Sequence, residues 1–222
     1  VDVARDLALD LDVEPMKPLV LHGDGGVSQK GAESGNASAY ASWTRLRTRG
    51  TIRAGPHDPL AGTQVTGESW FDHEFGSSQL GAGVAGWDWM GLRFDDGREL
   101  MLYKMRTKES RTAPWSEGTL VERDGRARHL GAAEFSAEPT ARWRSARTGA
   151  EYPVEWKIAV PSASIACDVA ARVRDCELDT RASVGTIYWE GPVSVGGPDS
   201  NSGSGSGYLE LTGYAGDLSG KL

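Results

Sequence analysis

Short runs in which apolar and polar residues alternate, punctuated by glycine-containing turns, dominate this chain and leave little room for helix. Leu7, Leu9, Leu11 and Val13 alternate with Ala8, Asp10, Asp12 and Glu14, the period of two expected where one face of a sheet is buried. Pro15 and Pro18 end that run. In "EYPVEWKIAVP", Tyr152, Val154, Trp156, Ile158 and Val160 share a face, and "TIYWEGPVSV" and "GYLELTGYA" follow it. Asp96-Gly97, Asp124-Gly125 and Thr148-Gly149 each separate two alternating runs. Asp-Gly favours a two-residue hairpin because both residues tolerate positive φ. About eight strands are therefore expected after residue 86, in mainly up-and-down order. Closing them into an antiparallel barrel removes exposed edges, and a barrel of that size is either filled by side chains or holds one apolar ligand. A lipocalin-type barrel is the leading architecture, with a sandwich as the alternative.

The amino-terminal third reads differently. Gly23 to Asn36 is a loop by composition, and a hairpin is expected from Tyr40 to Phe75, broken by the turn region Gly55-Pro56-His57-Asp58-Pro59. The small, flexible "SQLGAGVAG" from Ser78 to Gly86 is the best candidate for a domain boundary. "GGPDSNSGSGSG" holds no apolar residue and reads as a mobile loop.

Composition excludes several classes of function. With 24 basic and 31 acidic residues the net charge is −7 and the basic residues are dispersed, which disfavours a nucleic-acid partner. No stretch approaches the roughly 20 apolar residues of a spanning helix, and residues 1 to 20 lack the pattern of an export signal, so a soluble chain is expected. Cys167 and Cys176 are the two cysteines, read as unpaired thiols in or beside a strand. The histidines His22, His57, His73 and His129 lack metal-ligand spacing. Neither a metal nor an organic cofactor is called for.

Chemistry concentrates in "ESWFDHEFGS" (68–77), which packs three carboxylates, an imidazole and three aromatic rings into ten residues. As a strand it splits by parity: Glu68, Trp70, Asp72 and Glu74 face one way, and Phe71, His73 and Phe75 the other. The second set is the apolar one. Facing a barrel interior, it would place His73 in a hydrophobic cavity with Asp72 and Glu74 outside or at the rim. The ordinary reading of the acidic face is a solvated strand, and that of His73 a satisfied core residue; the competing reading makes His73 an acid-base group.

A second cluster lies on the next hairpin. A two-residue Asp96-Gly97 turn would pair Phe94 with Glu99, Leu92 with Met101, Met90 with Tyr103 and Asp88 with Met105. One face then collects Met90, Leu92, Phe94, Met101, Tyr103 and Met105 and ends in Asp88, with Tyr103 as its candidate donor. On the opposite face Trp89 lies over Lys104 and Trp87 over Arg106, cation-over-indole contacts that require no ligand.

"PMKPLVLHGDGGVSQKG", "ASAYASWTRLRTRGTI", "GESWFDHEFGS", "GWDWMGLRFDDGRELMLYKMR", "ARTGAEYPVEWKIAVP" and "YWEGPVSVGG...GYLELTGYA", in this order, resemble the AttH and carotenoid 1,2-hydratase (hydroxyneurosporene synthase) family over nearly the whole chain. The resemblance implies an all-β protein of tandem lipocalin-like (calycin) antiparallel barrels, the first one incomplete. Residues 1–78 would be the carboxy-terminal half of barrel one and 84–222 all of barrel two. The open half would be completed by a missing amino-terminal half-barrel or another chain. Implied with it are addition of water to, or cyclisation of, an apolar isoprenoid or polyene, and a periplasmic, secreted or peripherally membrane-associated location. By motif match His73 and Tyr103 are the catalytic candidates. Asp72, Glu74 or Asp88 would supply the proton, because Met105 stands where the family pattern suggests an acid. Trp70, Phe71, Phe75, Trp87 and Trp89 would line the substrate. Other relatives are described as attachment-related or secreted hydrolases, but no Gly-x-Ser-x-Gly nucleophile elbow occurs. The alternative is a non-catalytic lipid carrier in which the same polar residues brace the junction between barrels.

Overall fold

The computed structural model describes residues 8–33, 35–53, 62–76, 83–108, 112–183, 185–197 and 204–216, in which fifteen β-strands form two sheets. The smaller sheet is built on the long strand β4 (Ala37–Arg53). β5 (Thr63–Phe75) runs along one edge of it, and β1 (Ala8–Pro15), β2 (Val20–Leu21) and β3 (Val27–Gln29) share the other. The expected Tyr40–Phe75 hairpin is this β4–β5 pair. Its turn region, with His57, lies outside the described residues, as do Leu7 and most of the Ser78–Gly86 boundary.

The buried face of this sheet is the polar one. Ser38, Tyr40, Ser42, Thr44, Leu46 and Thr48 alternate along β4 and are all covered. β1 has the expected alternation, but its apolar face is open: Leu9 is 58% and Val13 53% exposed. β1 is held by its ladder to β4, and no described element covers its leucines.

The larger sheet comprises β6 (Val84–Phe94), β7 (Glu99–Thr107), β8 (Glu117–Val121), β9 (Ala127–Gly131), β10 (Ser136–Arg144), β11 (Glu151–Val160), β12 (Ile165–Ala171), β13 (Glu177–Asp179), β14 (Ile187–Gly196) and β15 (Gly205–Leu211). Its order, β10-β11-β12-β14-β15-β6-β7-β8-β9 with β13 beside β14, is antiparallel throughout. The β15–β6 ladder joins the two ends of the segment, so the sheet curls on itself, with an unpaired seam between β9 and β10 among the described residues. Of the two sequence-based alternatives for the interior, the filled one holds. Trp156, Trp189, Tyr152, Phe94, Met90 and Leu92 are fully buried in one cluster, each worth about 1.5–3 kcal/mol of transfer free energy. Cys167 on β12 and Cys176 before β13 are free thiols.

The β6–β7 turn corrects the expected pairing. Phe94 N–H donates to Arg98 O at 2.9 Å and Gly97 N–H to Phe94 O at 3.0 Å. Gly97 takes φ +88° while Asp96 stays at negative φ. This is a three-residue loop with a glycine bulge, not a two-residue turn, and the Glu122–Arg126 loop repeats it around Gly125. The extra residue moves the register by one: Arg93 pairs with Glu99, Met90 with Leu102, Trp89 with Tyr103 and Asp88 with Lys104. A one-residue shift exchanges the faces of the partner strand. Met101, Tyr103 and Met105 therefore lie on the outer wall with Trp87 and Trp89, while Lys104 and Arg106 turn inward. The expected indole contacts give way to Lys104 Nζ 5.9 Å from the Trp156 ring and the Arg106 guanidinium 3.8 Å over Tyr214.

The glycine-rich loop also runs shorter than its composition suggests, because Gly205–Gly207 belong to β15; residues 198–203 lie outside the described residues. A Cβ at Gly205 would sit 2.0 Å from the Arg93 carbonyl oxygen, so only glycine lets β15 approach β6 this closely.

The two sheets meet through the outer wall of β7 and β8. Glu99 is wholly buried there between Lys17 Nζ at 2.7 Å and Arg45 Nε at 2.6 Å, one carboxylate satisfied by a cation from the β1–β2 connection and one from β4.

Candidate active site at the sheet junction

A cavity of about 830 Å³ lies between the buried face of the smaller sheet and the outer wall of the barrel. β5 contributes Glu68, Trp70, Asp72 and Glu74, β6 contributes Trp87 and Trp89, and β7 contributes Tyr103 and Met105. Glu190 on β14 and Tyr208 and Glu210 on β15 line it as well. Gly91 makes room for an indole, since a Cβ there would meet the Trp89 ring at 2.6 Å. Trp70 and Trp89 pack edge to face at 6.1 Å. Each of the three indole N–H groups has a partner: Trp70 donates to Asp72 at 2.7 Å, Trp87 to Glu210 at 2.8 Å and Trp89 to the Tyr40 hydroxyl at 3.0 Å. With the N–H groups committed, the rings serve the cavity as apolar, electron-rich surface.

The carboxyl groups divide by environment. Asp72 stands across the ladder from Ser42, and its Oδ1 accepts both the Trp70 indole N–H and the Ser42 hydroxyl. Asp72 is exposed where it opens on the cavity, and its base is flanked by Trp70 and Ser42. Desolvation raises its pKa, hydrogen bonds from Ser42, Trp70 and Tyr40 offset part of that rise, and the Glu74 charge adds to it. Glu74 is held by Lys30 at 2.8 Å and by the Ser38 hydroxyl. Desolvation pushes Glu210 up to about 7 against the Trp87 hydrogen bond, with Glu190, Glu74 and Asp72 adding to the rise, and burial raises Glu190 too. A carboxyl group whose pKa is raised holds its proton to higher pH and is a better donor than an ordinary carboxylate. Tyr103 bonds Ser28 Oγ and Gln29 O, both at 2.9 Å, beneath the Lys30 ammonium at 3.8 Å. Desolvation and Glu117 push its pKa far above the ordinary phenol value, so it is a neutral fixture of the wall.

Of the residues singled out in the sequence, Asp72, Glu74, Tyr103, Trp70, Trp87 and Trp89 meet in this cavity. His73, Phe71 and Phe75 do not. They share the opposite face of β5, as parity requires, but that face is open: Phe71 is 48% and Phe75 59% exposed, and the His73 and Phe75 rings meet at a tilt with centroids 5.1 Å apart. The side of β5 that faces the cavity is the acidic one, because the smaller sheet packs its polar face on the barrel. Asp88 is also elsewhere. It points into the barrel, bound by Arg106 Nε at 3.1 Å and the Tyr214 hydroxyl at 2.8 Å, with Tyr103 on the other side of the sheet. Tyr40, Lys30 and Glu210 line the site although sequence reasoning passed over them. The non-core parity of Tyr208 and Glu210 in "GYLELTGYA" was the available signal.

A curled, lipocalin-like barrel with an acid- and indole-lined cavity on its outer wall defines the class of protein. Residues 2–214 match the AttH-like family model, and the chain belongs to that family. A crystal structure from Nitrosomonas europaea, provisionally assigned as an AttH, is 35% identical with a TM-score of 0.83, covering 94% of this chain and 62% of its own. Kievitone hydratase from Nectria haematococca is 16% identical with a TM-score of 0.71, covering 96% of this chain and 63% of its own, a likeness of fold. The chain thus spans less than two thirds of both solved relatives. No curated protein gives a significant match.

Proposed function

We propose that the junction cavity hydrates, or by the same cation cyclises, a carbon–carbon double bond of an apolar isoprenoid- or polyene-type substrate, with Asp72 as the proton donor. The observation that carries this reading is the Asp72 carboxyl opening on a cavity lined by three indoles whose N–H groups are already engaged. The Asp72 proton forms a C–H bond as the π bond breaks, and the positive charge develops on the more substituted carbon beside the Trp70 and Trp89 rings. A water oxygen bonds to that carbon, and its surplus proton returns to the Asp72 carboxylate, which restores the donor. Family membership and the fold likeness to a hydratase support this choice of reaction. The same reading takes the open apolar face of β1 and β5 as a seat for further β-strands.

A carrier without catalysis is favoured by one observation, the Met105 thioether where the family pattern suggests an acid. Incubation of the full-length protein with lycopene, neurosporene and kievitone in ¹⁸O-labelled water separates the two. Labelled hydroxyl in product supports hydration; binding of the panel without label in any product supports the carrier.

A further inference from the structure

His22 lies immediately after β2 and is wholly buried, with both ring nitrogens engaged: Nδ1 with Thr119 Oγ1 and Nε2 with Ser42 Oγ, each at 2.8 Å. Ser42 is equally buried and gives its one hydroxyl hydrogen to Asp72 Oδ1. His22 Nε2 must then carry the ring hydrogen and donate it to Ser42, which leaves Nδ1 to accept from Thr119. Every hydrogen in the series points toward Asp72. We propose that Thr119, His22 and Ser42 form a buried donor relay that orients the Asp72 carboxyl, reserving Oδ1 as an acceptor and leaving Oδ2 as the oxygen that carries the proton.

The arrangement differs from a nucleophilic serine pair. In a hydrolase triad the acid bonds the imidazole and the serine faces substrate. Here the acid bonds the serine, and the serine has no exposed surface. Burial and the nearby Lys30 charge lower the His22 pKa to about 3, so the imidazole is a neutral donor. The charged and titratable groups around the relay are Glu74 on the same strand as Asp72, Tyr40 on β4, Glu210 on β15, and Lys30 near His22. Lys30 is itself engaged by Glu74. As Asp72 releases its proton, charge grows on the carboxylate and the aligned donors bind it more strongly, with no proton leaving His22. His22, Ser42 and Thr119 are positioning residues, and Thr119 comes from β8 of the barrel, so the relay ties both sheets to the carboxyl.

This inference rests on the reading of Asp72 as the acid, and its test is read without substrate. The Asp72 carboxyl is titrated by ¹³C NMR in the full chain. Ser42→Ala, His22→Leu and Thr119→Val are each expected to move the midpoint up by about one pH unit, a roughly tenfold weaker acid. His22→Gln, which still offers a neutral donor to Ser42 and an acceptor to Thr119, is expected to stay within a few tenths of wild type. An unchanged midpoint in folded Ser42→Ala or Thr119→Val overturns the relay, even where His22→Leu does not fold. Moved midpoints in a protein that never hydrates an alkene keep the relay and remove the proposed reaction. Hydration with unmoved midpoints does the reverse.

Discussion

Trp89 on β6 and Tyr103 on β7 are cross-strand partners, and both rings face the junction cavity. That pairing follows from the third residue of the Asp95-Asp96-Gly97 loop. A two-residue loop would have put Tyr103 inside the barrel with Asp88; the observed one puts it on the outer wall opposite Asp72 and Glu74. Tyr103 thus lies at the junction and not in the lumen because the loop takes a third residue, with Gly97 in the left-handed region.

Closure of the barrel depends on the approach of β15 to β6. Gly205→Ala would force a Cβ against the Arg93 carbonyl, a backbone atom that cannot swing aside. We expect a loss of about 3 kcal/mol in urea denaturation, among the large values known for single substitutions. Gly67→Ala on β5, where nothing lies within 4 Å of the added carbon, should stay within about 0.5 kcal/mol of wild type.

Asp88 and Arg106 form a buried pair inside the barrel, with Arg106 also bonded to Thr212 O. Arg106→Met strands the carboxylate and should lower stability by about 3–5 kcal/mol, whereas Asp88→Leu combined with Arg106→Met should recover most of that loss. Denaturation of Arg106→Met and of the double variant checks this. A double variant as unstable as Arg106→Met alone would show that the apolar replacement packs badly there.

Much of the fold was legible in the sequence and much of the site was not, for identifiable reasons. Alternation located the strands, because burial of one face is a local property of Tyr152, Val154, Trp156, Ile158 and Val160. Parity also divided Asp72 and Glu74 from His73 correctly. What parity cannot state is which face becomes enclosed. That depends on what the sheet packs against, and the apolar face of β5, the natural choice for burial, is the open one. Register was equally hidden, because Asp-Gly serves both two- and three-residue loops. His22 and Ser42 carried no signal, since their partnership with Asp72 exists only after β2, β4, β5 and β8 assemble.

Glu210 makes stability depend on pH. Its folded-state pKa of about 7 lies above the 4.5 of an unperturbed glutamate, so between those values the native state holds a proton that the unfolded chain has lost. Stability from this group is therefore full below pH 4.5, falls as pH rises toward 7 and is flat above it. The fall should be about 2 kcal/mol, allowing for the solvent that still reaches the carboxyl. Glu210→Gln should flatten that part of the profile in urea titrations at pH 5 and pH 8. An unaltered slope would show that Glu210 titrates as an ordinary carboxyl.

Label transfer from ¹⁸O-water into product, compared between Asp72→Asn and His73→Ala in the full-length protein, bears most directly on where the chemistry lies. With the reaction in the junction cavity, Asp72→Asn should lower the rate by about 10²–10⁴, and His73→Ala, on the open face of β5, should stay within about threefold of wild type. Loss of turnover in His73→Ala with Asp72→Asn still active would contradict the account and return the reaction centre to the opposite face of the strand.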